Sequence, residues 1–182
     1  MGARAYVLID EFEPLDGDSV VEIGSERGEG STAYFRKYCE DKHLPFYSVD
    51  VDPLIENVIK SDGAEWLEAF EGTIGFAYLD NFDYIFEHIA GKEWVQRQIE
   101  NYAKRGVTMN NENSERAHLE QAKHIARLSR IGTVVIFDDT WFDNGYHGKG
   151  AKAVPYLLGK GFQLVNEVDS IPESYVQLRR IQ

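Results

Sequence analysis

The chain has 182 residues, 43% of them hydrophobic, which suits one domain with a sizeable core. Nineteen basic against 31 acidic residues give a formal net charge of -12, which works against a phosphate-backbone partner and favours a soluble protein acting on small molecules. A single cysteine, Cys39, excludes an intramolecular disulfide. No apolar run is long enough to cross a bilayer, and the acidic start M-G-A-R-A-Y-V-L-I-D-E does not read as a secretory signal, so a cytoplasmic protein is expected.

Residues 1–19 read as an extension packed on the domain, with Y-V-L-I at 6–9 offering a further strand. V-V-E-I at 20–23 is a short strand, and Gly24, Gly28 and Gly30 then mark a tight loop before a helix from Ser31 or Thr32. Cys39 falls in A-Y-F-R-K-Y-C, on the packed side of that helix. F-Y-S-V-D at 46–50 is the next strand, and Pro53 suits the first turn of a helix after it. A short strand at 57–60 leads to a helix at 63–70, and I-G-F-A-Y-L at 74–79 is a fourth strand that delivers Asp80. Helical spacing returns over about 93–105 and 114–129, separated by N-N-E-N at 110–113, which favours a turn or cap. Residues 133–137 form a fifth strand ending in Asp138-Asp139. W-F-D-N-G-Y-H-G-K-G at 141–150 then reads as a mobile loop. A helix at about 151–159 and strands at 162–165 and 176–181 complete the pattern.

This alternation predicts a single α/β domain over 1–182, a doubly wound, mostly parallel seven-stranded sheet with helices on both faces. Ligands of such sheets sit beyond the carboxyl ends of the strands. At those ends the sequence puts the glycine loop and a series of acids. Glycines in a strand-to-helix turn permit unusual backbone angles and close ligand approach, and the amides around Gly24, Ser25, Gly28 and Gly30 can meet a polar group. Glu22, just before the turn, can accept from an amino-bearing ligand. Asp50, twenty residues past Gly30, can bind both hydroxyls of a ribose, and Asp62 can orient an adenine. The glycine spacing does not satisfy G-x-G-x-x-G and no G-K-S/T follows, which weakens NAD and ATP as ligands.

In E-I-G-S-E-R-G-E-G at 22–30, with Asp50 in V-D-V-D-P, the chain resembles the class I S-adenosylmethionine-dependent methyltransferases over about residues 18–182. The resemblance implies a Rossmann-like methyltransferase fold in which the Gly24 loop holds the methionine portion of the cofactor, Asp50 the ribose, and Asp62 lies near adenine. With Asp80 and the pair Asp138-Asp139, the chain is similar to the metal-dependent small-molecule O-methyltransferase branch. That resemblance implies an Mg2+ ion on these three carboxylates, holding and activating an acceptor hydroxyl. The branch often has Lys or His three positions after the first metal acid, whereas this chain has D-N-F-D at 80–83. Asp83 is therefore the first candidate base and His118 the second. His147 and Lys149 read more economically as solvated loop residues. Trp141, Phe142 and Tyr146 read as packing or as an aromatic wall for the acceptor. The expected function is methyl transfer to a hydroxyl of a small metabolite, in a chain that can form a homo-oligomer. The alternatives are a metal-independent methyltransferase on another acceptor and a non-catalytic module that binds a nucleotide derivative.

Overall fold

The computed structural model describes residues 5–25, 28, 30–81, 84–104, 106–170 and 173–182. In chain order the elements are β1 (Asp18–Ile23), α1 (Ser31–Lys42), β2 (Phe46–Asp50), β3 (Ile59–Lys60), α2 (Gly63–Ala69), β4 (Thr73–Leu79), α3 (Glu93–Lys104), α4 (Asn111–Leu128), β5 (Ser129–Asp138), β6 (Thr140–Phe142), β7 (Tyr146–Gly148), α5 (Ala153–Leu158), β8 (Phe162–Val168) and β9 (Tyr175–Arg180). A seven-stranded sheet runs in the order β3-β2-β1-β4-β5-β9-β8. The first five of these are parallel, while β9 pairs antiparallel with both β5 and β8. The short strands β6 and β7 form a separate antiparallel hairpin.

Both faces of the sheet are buried, which is why its central strands read as continuous apolar runs. On one face Val21, Ile23, Ala77, Leu79, Val135 and Phe137 pack with Leu67 of α2, Ile125 of α4 and Leu157 of α5. On the other, Val20, Phe76, Tyr78, Val134 and Ile136 pack with Phe35 and Cys39 of α1 and with the N-terminal segment. Side chains alternate between faces along a strand. The pairing of Glu22 with Ser48 and Tyr78, and of Tyr78 with Ile136, therefore collects three polar side chains on the α1 face.

The structure departs from the sequence pattern in three connections. Residues Ala5–Glu11 form a 3-10 helix rather than a strand, and Ala5, Ile9 and Phe12 are buried in one cluster with Phe76, the Phe12 and Phe76 rings lying 5.8 Å apart. No helix follows Pro53. The eight residues between β2 and β3 are taken up by turns in which Asn57 is left-handed (φ 64) and Leu54 stays exposed. The glycine-rich segment 141–150, read from sequence as a mobile loop, carries most of the short β6/β7 hairpin, with Thr140 opposite Gly148. In addition, α4 begins earlier than its apolar spacing indicates, since the Asn110 side chain caps it by accepting from the Asn113 amide at 2.8 Å.

Candidate functional site

The carboxyl ends of β1, β2 and β4 open onto a cavity of about 920 Å³ between the sheet edge and the helices α2 and α4. That volume falls in the range of small-molecule and cofactor sites. Gly24 forms its floor. Its φ is +98°, and a Cβ there would lie 2.5 Å from the Asn81 backbone nitrogen, so only glycine lets the end of β1 pass this close to the chain leaving β4. Gly28 (φ +69) and Gly30 (φ +60) are also left-handed, and Gly30 is the residue from which α1 starts.

Asp50 anchors this loop. Its Oδ2 accepts from the Ser25 amide at 2.9 Å and its Oδ1 from the Asp52 amide at 2.8 Å. The residue also lines the cavity. Asp62 caps α2, accepting from the amides of Ala64 (2.8 Å) and Glu65 (3.1 Å), and it too lines the cavity. Ser25, Asn81 and Gln121 also line the cavity, and Ser25 Oγ, Asn81 Oδ1 and Gln121 Oε1 are buried without a hydrogen-bond partner among the described residues. Buried polar atoms are costly to leave unpaired, and these three belong to residues around one cavity.

Behind the loop, Glu22 is wholly buried. Its Oε2 accepts from Thr32 Oγ1 (2.7 Å) and Ser48 Oγ (2.6 Å), while Oε1 has no partner among the described residues. Burial pushes its carboxyl up to about 7, against the opposing hydrogen bonds from Ser31, Ser48 and Thr32.

The ends of β4 and β5 carry the second group of acids. The structure does bring Asp80, Asp138 and Asp139 to one edge, and it adds a residue read from sequence as a solvated loop lysine. Lys149 is 1% exposed, and its Nζ donates to Asp80 Oδ1 at 2.6 Å and lies 3.0 Å from Asp139 Oδ2. A third contact goes to the Asp80 carbonyl at 3.3 Å. Asp138 points to the α1 face, where the Tyr78 hydroxyl donates to its Oδ2 at 2.9 Å. Burial and the adjacent charges of Asp80 and Asp139 hold its carboxyl well above the usual range.

The hairpin explains how a lysine comes to lie there. Thr140 Oγ1 donates to the Asp138 carbonyl and accepts from the Gly150 amide at 2.8 Å, and the Lys149 amide donates to the Asp139 carbonyl at 3.0 Å. Gly148, at φ +81, passes so close that a Cβ would lie 1.9 Å from the Asp139 carbonyl oxygen. The pattern D-D-T followed by G-K-G was the available sequence signal. The glycines bring the returning chain onto the acids, and the lysine between them supplies the counter-charge.

These positions do not fit the expected Mg2+ site. The Lys149 ammonium lies between Asp80 and Asp139, where a divalent ion would have to be, and among the described residues no three Asp, Glu, His or Cys side chains converge as a metal-binding group. Nor does His118 fit a base in contact with substrate. It is fully buried on α4, its Nδ1 pairs with the Ser114 carbonyl at 2.8 Å, and burial followed by the Lys149 charge lowers it to about 3. It therefore stays neutral inside the protein. Asp83, the other candidate base, lies outside the described residues. Trp141 stacks between Phe86 and His147, at 5.7 and 5.8 Å, while Phe142 and Tyr146 pack edge to face across the hairpin.

Solved structures share this architecture over essentially the whole chain. An rRNA methylase from Streptococcus thermophilus superposes with a TM-score of 0.54 at 16% identity, covering 98% of this chain and 95% of its own. A SAM-dependent methyltransferase from Bacteroides fragilis in complex with S-adenosyl-L-homocysteine superposes at 0.52 and 9% identity, covering 100% and 78%. The fold is a Rossmann-like fold that solved methyltransferases share. A sugar N-methyltransferase from Streptoalloteichus shares it at a TM-score of 0.51 and 10% identity, over 98% of this chain and 85% of its own. No protein-family model matches the sequence, and no curated protein is significantly similar to it. Identities this low establish the methyltransferase fold and leave the chemistry to the site. Among the described residues no helix is long and apolar enough to cross a membrane.

Proposed function

We propose that the chain binds S-adenosylmethionine in the cavity at the ends of β1, β2 and β4 and transfers its methyl group to a hydroxyl of a small molecule. What carries this reading is the cavity itself, about 920 Å³ at the strand ends, with Asp50 and Asp62 in its wall beside the close turn at Gly24. The cofactor supplies an electrophilic methyl group on a positively charged sulfur. Asp50, in the cavity wall, accepts from the ribose hydroxyls, and the Gly24–Ser25 backbone holds the methionine portion. Asp62, Gly63 and Gln121 surround the adenine end.

Because the departing sulfur is neutral, the protein has to align the acceptor and take up its proton. Asp80 lines the same cavity and is the carboxylate placed to accept that hydrogen. No step of this reading runs through magnesium. A net charge of -12 supports a small acceptor over the RNA named for the Streptococcus thermophilus structure.

Calorimetric titration with S-adenosylmethionine, for wild type and Asp50→Ala, tests the reading. Saturable binding that Asp50→Ala weakens by an order of magnitude or more, at about 1.4 kcal/mol per tenfold, is the expected result. Absence of binding by folded wild-type protein would overturn it. Binding without methyl transfer across a broad panel of hydroxylated acceptors would favour a non-catalytic module.

A further inference from the structure

We infer that Lys149 is a built-in cation that occupies the place of a divalent metal ion between Asp80 and Asp139, and that it positions the Asp80 carboxylate at the cavity wall. The inference rests on reading this edge as the methyl-transfer site. It goes beyond that reading by replacing the metal chemistry the three acids suggest with a lysine that arrives on a separate hairpin.

Three observations carry it. The first is location. The Lys149 ammonium contacts Asp80 at the end of β4 and Asp139 just past the end of β5, two of the three acids that would form an ion site, at 2.6 and 3.0 Å. Oxygen ligands bind Mg2+ at about 2.0–2.1 Å, so removing the ammonium and drawing the same oxygens in slightly would leave room for a small hard cation. The second is burial. Lys149 is 1% exposed, so its charge is a fixed part of this edge. The third is how the lysine is held. The Thr140 hydroxyl contacts, the Lys149 amide bond to the Asp139 carbonyl and the closeness of Gly148 to that carbonyl tie the hairpin to the acids.

The consequence is a specific electrostatic arrangement. Asp80 faces the cavity on one side and Lys149 on the other, so its orientation is set by the lysine. A single positive charge offsets two carboxylates, whereas a divalent ion would put twice that charge beside the site of a cationic sulfonium. Lys149 is thus a positioning residue that acts through Asp80 and Asp139.

The test is calorimetric titration of Mn2+ into wild type, Asp80→Asn, Lys149→Ala and the Lys149→Ala/Asp80→Asn double variant, with near-UV circular dichroism to establish that each is folded. Wild type is expected to show no saturable Mn2+ uptake, and Lys149→Ala is expected to gain a single saturable site that the added Asp80→Asn change removes. A lysine that only holds the hairpin in place would not produce that gain. The inference is overturned if wild type binds Mn2+ and Asp80→Asn abolishes the binding, or if folded Lys149→Ala acquires no site. Should Lys149→Ala fail to fold, the wild-type and Asp80→Asn titrations still decide whether the edge already takes a metal. S-adenosylmethionine titrated into the same wild-type sample separates the two readings, since loss of cofactor binding counts against the methyltransferase assignment and leaves the Mn2+ result standing.

Discussion

The two halves of the carboxyl edge carry the same residue type and satisfy it in different ways. At β2 and α2, Asp50 and Asp62 are held by amides close by in sequence or in the adjoining loop, namely Ser25, Asp52, Ala64 and Glu65. At β4 and β5, Asp80 and Asp139 lean on an ammonium brought in from Lys149, and Asp138 leans on the Tyr78 hydroxyl of a neighbouring strand. Backbone amides are available wherever a strand gives way to a helix, and they stabilise a carboxylate locally. Three carboxylates crowded at adjoining strand ends repel one another, so that side needs a tertiary counter-charge or a proton. A carboxylate at a strand end therefore does not announce a metal until its cationic neighbours are known.

The largest effect should come from removing that counter-charge. Lys149→Met, which keeps the volume but not the ammonium, is expected to destabilise the fold by about 3 kcal/mol, the low end for breaking a buried ion pair because Asp80 and Asp139 keep some contact with solvent. Urea denaturation measures it, and a change near zero would mean that the acids find water or protons without cost.

Glu22 provides a pH test on the cofactor side. Its folded carboxyl titrates at about 7 against a usual 4.5, so the folded protein keeps a proton that the unfolded chain gives up. The stabilisation is fully present below pH 4.5, and it is lost as pH rises through 7. At about 1.4 kcal/mol per unit, the loss over that interval is about 3 kcal/mol before other groups are counted. Glu22→Gln should flatten this part of the stability profile, measured by thermal melts across about pH 4 to 8, which brackets the interval from 4.5 to about 7. An unchanged slope would show that Glu22 is not its source.

The smallest effect belongs to a carboxylate held only by local amides. Asp62→Ala removes the cap of α2 and should cost about 1 kcal/mol of stability. If chemical denaturation shows a loss as large as that of Lys149→Met, the contrast between local and tertiary support collapses.

Much of the site was legible before the fold was known, since Gly24, Asp50, Asp62, Asp80 and Asp138-Asp139 each end or follow a recognisable apolar run. Tyr78 was not. It sits inside I-G-F-A-Y-L, where an apolar run hides a hydroxyl that only the pairing with β5 aims at Asp138. Pro53 misled, because a residue suited to a helix start cannot make a helix in the short link between β2 and β3.

The sequence by itself determined the alternation of strands and helices and the placing of acids at strand ends, because side-chain periodicity and turn chemistry are local properties of the chain. Tertiary structure decided which groups those acids meet. Lys149 lies 69 residues from Asp80 in the chain and meets it because β4 and β5 are neighbours and the chain leaving the β6/β7 hairpin is tied back to Asp139 just past the end of β5. The partner of a buried charge is chosen by strand order and by how closely the backbone can approach, and neither is written in the spacing of any one segment.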